Sequence, residues 1–146
     1  MVNLKVILHP TDFSPLSGNA LRYGVEFARR FGARLIVLHV LEYAYSAISL
    51  AEEAVADAEN ELQKVLSPSQ KEGLDVEMLL VRGKPCEEIL RLAREREVDL
   101  IVMGTHNRGT LEHALLGSTT EKVIRKAPCP VLTIRHPEHE FNQQGT

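Results

Sequence analysis

Five short aliphatic runs, separated by segments with helical periodicity, constrain the fold of this chain more than any other feature. The runs are LKVIL (4–8), RLIVLHV (34–40), VEMLLV (76–81), LIVM (100–103) and VLTIR (131–135). Runs of this length rich in Val, Ile and Leu are typical of β-strands. The first, second and fourth are apolar almost throughout, which is typical of strands covered on both faces of a parallel sheet. The sequence therefore predicts a five-stranded parallel sheet.

The gap after the first strand carries a full set of helix signals. Ser14 followed by Pro15 predicts an N-cap and a first helical turn, and Gly32 predicts the end of the helix. The apolar stripe between them comprises Leu16, Ala20, Tyr23, Phe27 and Phe31. This spacing predicts an amphipathic helix that packs on the sheet.

The three later gaps also predict helices. Apolar residues spaced by three and four predict a helix over 51–65, closed by the proline and glycine that follow it. Pro85 opens the next helix. The last gap predicts a loop, a short helix around 111–116 and a further helix over 118–126.

This alternation of strands and helices predicts one doubly wound α/β domain. It requires right-handed crossovers and is typical of a Rossmann-like sheet with strand order 3-2-1-4-5 and helices on both faces. Such sheets bind ligands at the carboxyl ends of the strands that flank the switch point, here the loops HPTDFS (9–14) and GTHNRG (104–109). The domain is expected to span 1–136, and the polar tail 137–146 is expected to fray.

Composition narrows the class of protein. The 146 residues are 44% hydrophobic and 25% charged, with a net charge of -3, which is typical of a globular domain. Acidic and basic residues alternate along the chain, so a nucleic-acid partner is not expected, and no apolar run has a membrane-spanning length. Cys86 and Cys129 match no disulfide-rich or zinc spacing, and the N-terminal segment has no signal-peptide pattern. We therefore expect a cytoplasmic protein.

The segment MGTHNRGTLEHALLGSTTEK (103–122) suggests a phosphate site. It imitates the glycine spacing of a P-loop from Gly104, but threonine stands where that motif requires lysine. A second geometry is an anion site at the N-terminus of the helix near Ser118, where N–H groups, the helix dipole and three hydroxyls would meet a phosphate. A ligand-free interpretation also fits, with Gly117 ending one helix in a left-handed conformation and Ser118 or its neighbour capping the next. The residues alone favour neither.

Between Leu4 and Arg135 the chain resembles the universal stress protein family. The nucleotide-binding subgroup of that family carries a glycine, two residues, a second glycine, nine residues and then Gly-Ser or Gly-Thr. This chain has Gly104, two residues, Asn107, nine residues and a Gly-Ser pair. The loop HPTDFS and the strand end VLHV (37–40) also resemble their counterparts in the family.

The resemblance implies an ATP site with a divalent ion, Mg²⁺ or Mn²⁺, held with the phosphates. The implied binding residues are Pro10, Thr11, Asp12, Val40, Met103, Gly104, Thr105, His106, Asn107, Arg108, Gly117, Ser118, Thr119 and Thr120. Residues 10–12 would border the adenosine, Val40 would offer backbone groups to adenine, and residues 103–104 would form the floor. Residues 105–108 would flank the ribose and phosphates, and residues 117–120 would bind the triphosphate.

Asn107 is the departure from the subgroup, which has glycine at that position. A left-handed backbone costs an ordinary residue about 1–2 kcal/mol, and asparagine is several-fold enriched in that conformation. The backbone shape is therefore expected to be kept. The side chain nevertheless adds volume beside the expected path of the phosphates.

For function, the resemblance implies a nucleotide-dependent stress-response module that dimerises through the last strand, 131–135. No nucleophile, base and orienting group stand at a recognisable spacing, so we predict no catalytic residue and no efficient turnover. No histidine pair converges on a metal site. Two alternatives stay open: a dimeric interaction module of the same family that binds no nucleotide, and a slow ATPase.

Overall fold

The structure is a computed structural model, and it describes residues 1–42, 48–105, 116–135 and 141. Strands and helices alternate along these residues. The strands are β1 (Val6–Pro10), β2 (Arg34–Leu41), β3 (Asp75–Arg82), β4 (Leu100–Gly104) and β5 (Val131–Ile134). The helices are α1 (Pro15–Phe31), α2 (Ile48–Lys64), α3 (Pro68–Lys71), α4 (Pro85–Glu95) and α5 (Ser118–Lys126). No helix of the described ranges is long and apolar enough to cross a membrane.

The five strands form one sheet in the order β3-β2-β1-β4-β5, and all neighbours are parallel. The predicted fold class and strand order are therefore confirmed. The three most apolar strands, β1, β2 and β4, occupy the centre of the sheet, where helices cover both faces. The pairing of β1 with β2 extends over five residues, whereas its pairing with β4 consists of Ile7↔Leu100 and Leu8↔Ile101.

Successive residues of β1 enter two different cores, because side chains alternate across a strand. Ile7 is fully buried in a core that α1 and α2 cover. Leu8 is fully buried in a second core that α4 and α5 cover. Burial of such a side chain is worth about 1.5–3 kcal/mol, so the two cores fix the sheet between its helix layers.

Helix α1 begins and ends where the sequence predicts, and four of the five residues of the predicted stripe pack in or against the core. The most deeply buried residues, however, lie mainly beside that stripe. Its buried residues are Ser17, Ala20, Leu21, Gly24, Val25 and Ala28. The predicted stripe is wrong at Phe31, which is 39% exposed. Small residues bring the helix close to the sheet: a Cβ at Gly24 would lie 3.4 Å from Leu35 Cδ1. Most of the large aromatic residues therefore flank the contact instead of filling it.

Other boundaries differ modestly from the predictions. The helix predicted over 51–65 is α2, Ile48–Lys64. The segment after it was predicted to end the helix, yet it forms the one-turn helix α3, because Ser67 and Gln70 cap each other's backbone N–H groups. The short helix predicted around 111–116 lies almost entirely outside the described residues, as does the tail except for Phe141.

The two edges of the sheet differ in charge. On β3, Asp75 pairs with Arg34 at 3.0 Å, and Glu77 accepts two hydrogen bonds from Arg96 at 2.8 and 3.0 Å. The four residues of β5 carry no charge. The carbonyls of Pro130 and Ile134 accept hydrogen bonds from the β4 side, so the even-numbered residues of this strand turn their backbone polar groups toward β4. Thr133 is odd-numbered, and its N–H therefore points away from β4.

Candidate functional site

A crevice of about 370 Å³ opens at the carboxyl ends of β1, β2 and β4. This is the switch point of the sheet, where the chain turns to opposite sides after β1 and β4. The crevice is lined by Pro10, Thr11, Asp12, Ser17, Leu38, His39, Val40, Leu41, Glu42, Pro85, Ile89, Met103, Gly104 and Thr119. Its volume falls in the range of small-molecule sites, which is about 300–1,000 Å³.

The predicted binding residues fall into three groups. Those that line the crevice are Pro10, Thr11, Asp12, Val40, Met103, Gly104 and Thr119. Thr105, Gly117, Ser118 and Thr120 are not in its lining but lie beside it in the chain, at the end of β4 and the start of α5. His106, Asn107 and Arg108 lie outside the described residues.

Sequence reasoning missed half of the lining. Four of the missed residues lie on either side of Val40, at the end of β2 or directly after it: Leu38, His39, Leu41 and Glu42. The length of the apolar run was the sequence signal that could have indicated residues beside Val40. Pro85 and Ile89 come from α4, which reaches the crevice only through its packing on the sheet. Periodicity predicts that Ile89 faces inward, but it does not indicate that the residue borders an opening.

The loop between β1 and α1 is held by its own hydrogen bonds. Thr11 Oγ1 accepts from the N–H of Phe13 at 3.0 Å. Asp12 Oδ1 accepts from the N–H of Ser14 at 3.0 Å and from Ser17 Oγ at 2.6 Å. Ser14 Oγ in turn accepts from the N–H of Ser17, which caps α1. This side of the crevice is therefore satisfied by side chains of the loop and of the helix itself.

Phe13 takes an unusual backbone conformation in this loop, with φ of 65°. A left-handed conformation costs a non-glycine residue about 1–2 kcal/mol. Its ring stacks on His39 with the ring centroids 4.2 Å apart. His39 Nδ1 lies 2.7 Å from the carbonyl of Thr11, which can only accept, so Nδ1 carries the proton. The His39 ring thus supports the loop from the β2 side.

Gly104 ends β4 at a close contact with α1. A Cβ at this position would lie 3.0 Å from Leu16 Cγ and 3.6 Å from the Leu16 carbonyl carbon. The Gly104 carbonyl accepts a hydrogen bond from Thr120 Oγ1 at 2.9 Å, and Thr120 is fully buried. The hydroxyl of Thr120 is therefore engaged within the protein and joins α5 to the end of β4.

The N-terminus of α5 has a different character. Gly117 is its N-cap, with extended φ of −60° and ψ of 153°, and among the described residues no side-chain hydrogen bond caps the helix. The geometry assumed in the ligand-free interpretation, with Gly117 left-handed and a following hydroxyl as the cap, is therefore wrong. The N–H of Gly117 donates to the carbonyl of Thr105 at 2.7 Å. Thr105 is 6% exposed, and its Oγ1 has no hydrogen-bond partner in the part of the chain that the structure describes.

His9 lies beneath the crevice and is fully buried. Its Nδ1 donates to the carbonyl of Val102 at 2.9 Å, and its Nε2 has no hydrogen-bond partner among the residues described. Burial lowers the pKa of His9 from 6.5 to about 4, because desolvation outweighs the Val102 hydrogen bond and the more distant charge of Asp12. The ring is therefore neutral near pH 7.

Metal ligands do not cluster in the part of the chain that the structure describes. No group of three or more His, Cys, Asp or Glu residues there has the arrangement of a metal site. Cys86 and Cys129 are both free thiols.

Comparison with known proteins identifies relatives over nearly the whole chain. The model of the universal stress protein family matches residues 3–135. Universal stress protein MJ0577 of Methanocaldococcus jannaschii is 33% identical over 92% of this chain and 96% of its own length. Its solved structure covers 94% of this chain and 100% of that chain, with a TM-score of 0.80.

Two further relatives agree with this result. A universal stress protein of Thermus aquaticus is 37% identical and covers 90% of this chain and 98% of its own length. The universal stress protein from Archaeoglobus fulgidus in complex with dAMP is 27% identical, with a TM-score of 0.69 over 91% of this chain and 98% of that chain.

Proposed function

This chain belongs to the universal stress protein family, and from that premise we propose that it binds ATP in the crevice at the switch point and acts as a nucleotide-dependent stress-response module. The observation that carries the proposal is that one crevice combines apolar walls with the first turn of α5, which no side chain of the described ranges caps. The relative from Archaeoglobus fulgidus was solved with an adenine nucleotide, dAMP.

The apolar part of the lining suits a base. Leu38, Val40 and Ile89 contribute aliphatic surface, and Met103 completes it from β4. An adenine ring between such side chains would remove apolar area from water at about 25 cal/mol per Å². In this proposal the backbone of Val40 meets the edge of the base, and residues 10–12 border the adenosine.

The β4–α5 side suits the phosphates. Thr105 Oγ1, which has no partner among the described residues, and the backbone N–H groups of the first turn of α5 offer donors and a positive helix end. Hydrogen bonds to charged groups are worth about 1.5–3 kcal/mol each, so four or five of them with the base approach the roughly 8 kcal/mol of micromolar binding. The buried hydroxyl of Thr120 already serves Gly104, so in this proposal only its backbone contributes. A divalent ion, Mg²⁺ or Mn²⁺, would accompany the phosphates.

Calorimetry tests the proposal against both alternatives. We expect micromolar binding of ATP with Mg²⁺, weaker binding of GTP, and adenine nucleotide retained on the purified protein in native mass spectrometry. If no nucleotide is retained and millimolar ATP gives no heat of binding, the remaining alternative is the dimeric interaction module that binds no nucleotide. Hydrolysis at about 1 per second or faster would make the protein an enzyme and contradict binding without turnover.

A homodimer through β5 is the second part of the proposal. The strand lies at an uncharged edge of the sheet, and such edges pair readily with another chain. Thr133→Pro tests this pairing, because it removes an N–H that points away from β4 and leaves the β4–β5 ladder intact. We expect sedimentation to give a monomer with an unchanged circular dichroism spectrum. A dimer of unchanged mass would rule out pairing at β5.

A further inference from the structure

The pairing between β1 and β4 stops early on the side of the crevice. Val6 accepts from the N–H of Asp99 on the β4 side at 2.8 Å, and Thr11 donates to Leu38 on the β2 side at 2.8 Å. Even-numbered residues of β1 therefore turn their backbone polar groups toward β4, and odd-numbered residues turn theirs toward β2. The β2 ladder continues to Pro10, whereas the β4 ladder ends at Leu8.

Pro10 accounts for the end of this ladder. In the register Ile7↔Leu100 and Leu8↔Ile101, residue 10 lies opposite Met103, and its backbone nitrogen would donate to the carbonyl of Val102. Proline has no N–H to donate. Val102 is fully buried, and a buried carbonyl without a donor is destabilising.

The side chain of His9 supplies the missing donor. Its Nδ1 lies 2.9 Å from the Val102 carbonyl, and the ring is fully buried. The Nε2 atom has no partner, so this hydrogen bond is the one polar interaction of the ring that the described residues provide. An apolar side chain would fill the same space without burying an acceptor such as Nε2 that has no donor. Histidine therefore carries an energetic cost at this position, and that cost points to a role for the Nδ1 hydrogen bond.

We propose that His9 is a positioning residue for the nucleotide crevice: its ring replaces the backbone donor that Pro10 lacks and fixes the separation of β1 and β4 where they open. A continued ladder would hold the strands about 4.8 Å apart and close the opening. The imidazole, on the face of the sheet that α1 covers, instead ties the strands at a fixed distance through its hydrogen bond to Val102. Pro10 and Thr11 on one strand, and Met103 and Gly104 on the other, all line the crevice at this point. The inference rests on the proposed nucleotide binding.

A double-mutant cycle tests whether the His9 ring replaces the backbone donor that Pro10 lacks. His9→Leu removes the side-chain donor, and Pro10→Ala returns a backbone N–H opposite Val102. A neutral hydrogen bond corresponds to roughly a three- to tenfold effect, so we expect His9→Leu to weaken ATP binding by that factor. The double variant should recover most of the loss, and His9→Asn, which keeps an N–H close to the position of Nδ1, should bind nearly as the wild type does. Additive effects, or undiminished binding by His9→Leu, would overturn the proposal.

Two measurements without nucleotide separate this inference from the proposed function. Nitrogen NMR should show the proton of His9 on Nδ1, and the amide of Gly104, which faces β1, should exchange faster in His9→Leu and recover in the double variant. If the wild type binds no adenine nucleotide, the proposed function fails while these exchange rates still decide whether His9 positions the strands. A proton on Nε2 or unchanged exchange would contradict the role of His9.

Discussion

The two walls of the crevice differ in how their helix ends are satisfied. The α1 wall, residues 11–17, satisfies its own donors: Ser14 caps α1, and Asp12 holds both Ser14 and Ser17. The α5 wall, residues 104–105 and 117–120, has a glycine N-cap and includes the hydroxyl of Thr105, for which the described residues provide no partner. Both helices begin at the same crevice, so the difference is local chemistry rather than position.

This contrast suggests different roles for the two walls, with the α1 wall serving stability and the α5 wall serving the proposed binding of the nucleotide. A helix end capped by its own side chains gains stability and offers little to an anion. A helix end without a side-chain cap keeps its dipole and first-turn amides for a ligand, at some cost in stability. We expect changes in the α1 wall to act mainly on folding and changes in the α5 wall to act mainly on binding, and the four predictions below test that division.

The largest expected effect is a loss of stability at low pH that depends on His9. We expect acid to lower the free energy of unfolding of the wild type by more than any of the substitutions below does. Since burial lowers the pKa of His9 from 6.5 to about 4, the unfolded chain binds this proton first as the pH falls. The free energy of unfolding should therefore decrease between about pH 6.5 and pH 4, by about 3 kcal/mol at 1.36 kcal/mol per pH unit. Urea unfolding of the wild type and His9→Leu at several pH values measures this contribution. Equal pH slopes would contradict it.

Gly117→Asp should make the α5 wall resemble the α1 wall. The new carboxylate would cap α5, occupy the proposed phosphate position and repel the nucleotide. We expect ATP affinity to fall roughly thirtyfold or more, about 2 kcal/mol, with no loss of stability. Ser67→Asp is the matched control, because it adds the same charge at the N-cap of α3, which does not line the crevice. Similar losses in both variants would indicate a general charge effect.

Gly104→Ala tests the contact that holds the two walls together. The added Cβ would lie 3.0 Å from Leu16 Cγ, and overpacking of this kind costs about 1–3 kcal/mol. We expect the free energy of unfolding to fall by about 2 kcal/mol. The additional substitution Leu16→Ala removes the clash, so the double variant should lose less than the sum of the two single changes. Strict additivity would show that the contact does not limit the approach of α1.

Ser14→Ala should have the smallest effect and should separate folding from binding. Loss of an N-cap hydroxyl costs about 1 kcal/mol, and the α1 wall is not expected to hold phosphate. We expect a lower midpoint of thermal unfolding with an ATP affinity within about twofold of the wild type. Ser67→Ala removes the corresponding cap from α3 and serves as the control. A large loss of affinity in Ser14→Ala alone would assign the α1 wall a direct part in binding.

Most of the fold could be predicted because it depends on local patterns. The apolar runs set the strands and their central positions, and the motif around Gly104 and Gly117 indicated the family, which the comparisons confirm. The buried face of α1 was predicted only in part, because Gly24 and Ser17 pack there through closeness to the sheet rather than through hydrophobicity. The His9 interaction was also missed, since it depends on register between strands more than ninety residues apart.

The site could be predicted only in part for a similar reason. Residues in the strand-end loops follow from topology, so Thr11 and Gly104 were found in the lining. Ile89 enters from a helix whose placement depends on three-dimensional packing. The orphan hydroxyl of Thr105 has no sequence signal at all, because a lack of partners is a property of the folded surroundings.

The unequal edges of the sheet limit how far self-association can proceed. The ion pairs of Asp75 and Glu77 disfavour the pairing of another strand at the β3 edge. The β5 edge presents uncharged residues and an outward N–H at Thr133. A sheet with two receptive edges can add copies at both ends and grow into a fibre. In the proposed dimer, two copies would meet at β5 about a two-fold axis, and each would cover the uncharged edge of the other, so that only the charged β3 edges stayed exposed. Such an assembly would end at two copies, and the charges on β3, at the opposite edge of the sheet, would prevent further growth.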